Sequence, residues 1–296
     1  AFNNELCNCL LIGGSDTELK VLNGTLDGGT PNSAVTIAHG MSGAPDMLIF
    51  FTCLAGNNVD GPQARTLIGT WVNGTYASVV SSRVAGAAGD HRQAVSSLYL
   101  PGDISGTYDA TTNYTATVDA TNIVITFGTS ATNSGQVTCV AIKNSSVAYQ
   151  NGNFATPTST STVTIASGMS AKPQVCFTIC TLATALDARS QLDTASHYWL
   201  GCAAYNGTST VYAGCGYSGD DAANPLVEKT WSGTSSLVRQ YNVGGSTKIV
   251  DATAQWDSGG VSGVFGTVDA TAYKVVYLAF GAQTAALDPI RLVWRK

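Results

Sequence analysis

Residues 35–55 read VTIAHGMSGAPDMLIFFTCLA and residues 163–183 read VTIASGMSAKPQVCFTICTLA, 128 positions apart and identical at ten of 21 positions. Such a repeat constrains the fold before composition does, because each copy must find a way to bury the same apolar face. The correspondence continues with a drifting offset. IGTWVNGT (Ile68–Thr75) answers LGCAAYNGT (Leu200–Thr208), FGT at Phe127 answers FGT at Phe265, and VTCVAI from Val137 answers VVYLAF from Val275. The offset grows from 128 through 133 to 138. Insertions therefore fall in loops of the second copy, where they disturb little buried backbone. The organisation predicted is an N-terminal arm (1–28), a first repeat (29–145), a polar linker (146–153), a second repeat (154–281) and a C-terminal tail (282–296).

Each copy reads as strands. DMLIFFTCL and QVCFTICTL are continuous apolar runs of strand length, as expected of strands buried on both faces. The shared GMS-x-x-P turn delivers the chain into them, and Pro45 and Pro173 lack the N–H that a central ladder requires. NYTATVDATNIVITFGT alternates at two-residue spacing around an Asp-Ala-Thr-Asn turn, which predicts strand, turn, strand. One stretch, LATALDARSQLD, supports a turn or two of helix. The fold expected is all-β: two tandem antiparallel β-sandwiches, jelly-roll-like, from an internal duplication, each owning its core.

Composition narrows the function. Charged residues make up 11% against about 25% in an average soluble protein, so polarity comes from Ser, Thr and Asn. A net charge of −5 and a pI near 5.0 leave no basic footprint for nucleic acid. No apolar run approaches the ~20 residues of a membrane-spanning helix, and no signal peptide is legible at the first residues. The eight cysteines sit mostly in apolar strand-like runs, where Cys behaves as a small buried hydrophobe. Mostly free thiols and a reducing compartment follow as the expectation.

Chemistry-bearing patterns are sparse. His39 is replaced by Ser167 in the second copy, His91 lies in the polar stretch GDHRQ, and His197 opens a strand-like run. No G-x-S-x-G elbow, H-E-x-x-H or Walker loop occurs. Cys176 and Cys180 lie on one strand face about 13 Å apart at ~3.3 Å per residue, too far to share an ion. Cys7 and Cys9 have no second pair. Asp220, Asp221 and Asp257 lack calcium-loop spacing. Trp71, Trp231 and Trp256 suit either core packing or a sugar platform. The expectation is a chain without catalytic, metal or cofactor residues.

These residues resemble a β-sandwich type met in virion proteins of tailed bacteriophages. The GMS-x-x-P turn before Met47–Phe51, HRQAVS (His91–Ser96), ATVDATNIVITFGTS and GQVTCVAI carry the likeness, best in the first copy; WDSGGVSGVFGT from Trp256 departs from the alternation. The resemblance implies a non-enzymatic virion component. Capsid decoration or cement leads, with the major capsid protein or other virion proteins as partners, homo-oligomers, and assembly in the host cytoplasm. A tail-fibre or receptor-binding module with affinity for a host glycan is the alternative. Leu10, Leu11 and Ile12 in the arm, and Ile290, Leu292, Trp294 and Arg295 in the tail, are the candidate partner-binding residues; docking back on the chain itself is the competing reading.

Overall fold

The computed structural model describes residues 7–10, 17–26, 34–54, 65–82, 89–95, 98–99, 113–127, 135–188, 190–192, 195–220, 227–232, 236–242, 247–282 and 292–295. Strand β1 (Cys7–Leu10) precedes a first set: β2 (Glu18–Leu26), β3 (Ala34–Ala38), β4 (Met47–Leu54), β5 (Arg65–Val72), β6 (Thr75–Ser82), β7 (Gly89–Ala94), β8 (Leu98–Tyr99), β9 (Asn113–Val118), β10 (Asn122–Phe127) and β11 (Gly135–Lys143). The second set is β12 (Val147–Ala155), β13 (Thr162–Ala166), β14 (Val175–Cys180), β15 (Ser190–Leu192), β16 (Ala195–Tyr205), β17 (Thr210–Asp220), β18 (Val227–Ser232), β19 (Val238–Tyr241), β20 (Lys248–Trp256), β21 (Val261–Thr267) and β22 (Lys274–Ala282). Strand β23 (Leu292–Arg295) follows.

The chain is all-β and every pairing is antiparallel. One large sheet runs β15-β7-β6-β5-β4-β11-β2 and faces a smaller sheet β3-β10-β9-β8. The other large sheet runs β12-β22-β14-β16-β17-β18 and faces β13-β21-β20-β19. Leaving β15 aside, the two halves have one strand order. Repeat offsets land strand on strand: β4 on β14 at 128, β10 on β21 and β11 on β22 at 138. First pairs with last (β2 with β11) and second with second-last (β3 with β10), as in a jelly roll. The remaining strands, β4 to β7 and β8 to β10, are consecutive meanders, so the jelly-roll likeness stops there.

Several segments differ from their sequence reading. The stretch expected as a linker is β12, laddered along its length to β22. Within the expected arm, Glu18–Leu26 is the edge strand β2, paired with β11. No helix occurs among the described residues. Residues 184–188 of LATALDARSQLD are bends, and Ser190–Leu192 cross to the first half as β15, beside β7.

Pleating explains the continuous apolar runs. Along β4, Leu48 and Phe50 face the first sandwich core with Tyr114, Ile123 and Ile125, whereas Met47 and Ile49 face the other way. Along β14, Cys176 and Cys180 face the second core with Trp199, Val250 and Phe265, and Val175, Phe177 and Ile179 face away. The outward faces meet: Met47, Val72 and Ile142 cluster with Val175, Leu278 and Phe280, and Ala77 and Val79 with Ile179 and Val276. Four β-layers thus stack, with a third apolar core between the two large sheets. Each sandwich owns a core, as expected, and both share this middle one.

A polar clamp fixes the shared layer. Asn151 on β12 is buried, and its Nδ2 donates to the Thr75 carbonyl (3.0 Å), the Thr70 carbonyl (3.3 Å) and Thr70 Oγ1 (3.1 Å) of the first half. Thr70 Oγ1 donates onward to the Ala77 carbonyl at 3.2 Å. Stripping the donor from a buried acceptor exacts its full desolvation cost. Asn151→Leu should therefore destabilise the protein by ~1–3 kcal/mol in denaturant unfolding, whereas the same change at exposed Asn153 should lie within about 0.5 kcal/mol of wild type.

Candidate functional site

His39 is buried and joins two turns. The Met41 N–H donates to His39 Nδ1 (3.2 Å), so Nε2 carries the proton and donates to the Asp119 carbonyl (3.2 Å). Buried His39 thereby ties the GMS turn to the β9–β10 turn. There the Asp119 carboxylate accepts from the Thr121 and Asn122 N–H groups, bonds that hold its pKa below the ordinary range. The second half makes the tie directly, Met169 N–H to the Gly259 carbonyl at 2.9 Å, so Ser167 suffices where His39 stood. His91 and His197 lie on β7 and β16.

The five thiols described are packing groups. Cys139, Cys176, Cys180 and Cys202 are free and buried, and Cys215 is free and half-buried. Burial pushes Cys139, Cys180 and Cys202 up to about 12 and Cys176 well above the usual thiol value. A thiol held neutral is a poor nucleophile and a poor metal ligand. Among the described residues, no group of three or more His, Cys, Asp or Glu could hold a metal ion. Asp257 instead closes a turn by accepting from the Gly259 N–H. Asp221 lies outside the described residues.

Of the tryptophans weighed as a sugar platform, Trp71 is buried and Trp256 half-buried. Trp71 packs in the first core. Trp256 donates from Nε1 to Thr210 Oγ1 (2.9 Å) and stacks on Tyr205 at 6.0 Å, and the Lys172 ammonium lies 4.3 Å from the Tyr205 ring centroid. Trp231 lies on β18.

Between the large sheets lies a cavity of about 360 Å³, walled by Ile49, Phe51, Ile68, Thr70 and Ala77 from the first half and Phe177, Ile179, Leu200, Val276, Tyr277 and Leu278 from the second. No charged residue lines it, and the Thr70 hydroxyl is engaged by Ala77 and Asn151. Such largely apolar walls suit dry packing. Sequence reasoning missed this space, since it depends on how two sheets offset rather than on any motif.

Of the candidate partner-binding residues, four lie in a two-stranded ribbon. Cys7–Leu10 pairs antiparallel with Leu292–Arg295, setting Leu10 opposite Leu292, Asn8 opposite Trp294 and Cys7 opposite Arg295. Leu11, Ile12 and Ile290 lie outside the described residues. The two segments read as separate arms are thus one element, distinct from the four sandwich sheets. The described residues contain no helix long and apolar enough to cross a membrane.

No protein-family model, curated protein or solved structure matches this chain. Function must be argued from the geometry.

The thiol environments make a direct prediction. Native protein treated with iodoacetamide at mildly alkaline pH should leave Cys139, Cys176, Cys180 and Cys202 unmodified, and guanidinium should expose all four, as read by peptide mass mapping. Rapid native labelling of these positions would mean that the described cores open readily.

Proposed function

We propose that this chain is a non-enzymatic virion structural protein that decorates and stabilises a phage head. The observation that carries the reading is the ribbon of β1 and β23. Among the described residues the ribbon ladders to no other strand, and a two-stranded ribbon by itself is marginally stable in water, which favours docking of this apolar-rich element on a partner surface. The resemblance of the first repeat to phage virion sandwiches supplies the kind of partner, a major capsid protein or another virion protein. Low surface charge and a scaffold of stacked sheets suit a rigid brace. The shared strand order, together with the matching residues, supports an internal duplication as its origin. One ribbon contributes modestly, but repetition by shell symmetry multiplies weak contacts into avidity. Binding to the assembled shell alone raises the shell's thermal tolerance by linkage.

Cryo-electron microscopy of particles that carry the chain tests this. Paired sandwiches should decorate the head exterior with the ribbon against the shell. Deleting residues 292–296 should release the protein from particles while its circular dichroism and unfolding midpoint stay near wild type. Stripped particles should lose heat tolerance and regain it on add-back. Density confined to tails, or binding to isolated host polysaccharide and not to heads, would replace this reading with a receptor-binding one.

A further inference from the structure

The middle apolar layer is not continuous. Its residues fall into two clusters, one holding Ile49, Phe177 and Leu278 and the other Ile68, Ile179 and Val276. All six wall the cavity of about 360 Å³, which therefore lies where the two clusters would otherwise meet. Protein interiors are close-packed and hold few voids larger than a water molecule. This space is more than twice the ~150 Å³ at which an apolar cavity takes up benzene, and it falls within the ~300–1,000 Å³ of small-molecule sites. Phe51 lines it and is 42% exposed, so the space reaches the protein surface.

We propose that this space is a binding site for an uncharged, hydrocarbon-like molecule, an acyl chain or an aromatic ring, held between the two halves. Water is a poor occupant, because a buried water needs two to four polar partners. The Thr70 hydroxyl is committed, donating to the Ala77 carbonyl and accepting from Asn151 Nδ2. Tyr277 turns its ring into the second core, with its hydroxyl close to Gly152. The wall strands β4, β5, β6, β14, β16 and β22 are all interior to their sheets, so ladders take up their backbone groups. A carboxylate or ammonium would enter without a counter-charge and lose its hydration. What the walls offer is apolar burial and dispersion, the chemistry of the two clusters that the space separates. An occupant touches both halves, so its binding stabilises the whole stack of sheets and not one sandwich. This inference rests on the cavity alone and stands or falls independently of the virion reading.

Methyl NMR and thermal unfolding of the full chain in buffer containing toluene, n-hexane or hexanoate test it. Toluene or n-hexane should bind saturably at one site, shift the methyl resonances of Ile49, Ile68, Ile179 and Val276, and raise the unfolding midpoint. The tighter of the two tells ring from chain. Hexanoate should bind at least ~10-fold more weakly than n-hexane, because its carboxylate finds no partner. Ala77→Leu extends a buried wall side chain into the space and should abolish binding, and Leu200→Phe fills it from the opposite half with the same effect. Val264→Leu, on β21 and outside the walls, should bind as wild type does. The wild-type methyl shifts locate the site even where a filled variant fails to fold. Absence of saturable binding by both hydrocarbons overturns the inference, as does equal affinity for hexanoate. Shifts confined to methyls outside the walls, or undiminished binding by the filled variants, overturn it too.

Discussion

The middle apolar layer is the constraint on which the structure depends. A β-strand whose side chains are apolar on both faces needs cover twice. In β4 and β14 the inner face is covered by the strand's own sandwich and the outer face by the opposite half of the chain. Burial of apolar surface is worth roughly 25 cal/mol per Å², so leaving either large sheet bare would forfeit one side of its longest strands. The consequence is a four-layer stack in which Asn151 sets the offset between halves and β15 adds a strand from the second half to the first. The same layer, by its offset, produces the inter-sheet cavity.

Much of this was legible in sequence because the controlling signals are local. The Met47–Leu54 boundary follows from Pro45 and the apolar run, and the β9–β10 turn follows from Asp119 accepting from the next two available N–H groups. The departures are equally physical. SSVAYQNGN reads as a linker because it is polar and lies between the two copies. In the fold Gly152 lies mid-strand, where a side chain would meet the Tyr277 hydroxyl within 3.0 Å. WDSGGVSGVFGT breaks the alternation because Gly260 approaches the Ala166 carbonyl so closely that a Cβ would sit 2.3 Å from it, beside the register shift in β13. These are close backbone approaches that a two-residue period cannot encode.

The site was less legible than the fold. His39, Cys176, Trp71 and Asp257 each carry a functional possibility in sequence, and each is consumed by a turn or a core once the partners are known. The ribbon arises from pairings between residues 282 to 288 positions apart, and the inter-sheet cavity from relative sheet placement. No local pattern announces either.

The central claim is that the middle layer makes the two sandwiches one cooperative unit. Native-state hydrogen exchange of a Val276→Asp variant tests it most directly, since Val276 is 1% exposed and lies in that layer. The reporters are β10 and β21, in the two outer sheets and remote from the substitution. The account predicts that protection falls by the same factor in both strands. Loss of protection in β21 with wild-type protection retained in β10 would contradict it, and would mean that the halves are independent sandwiches merely in contact.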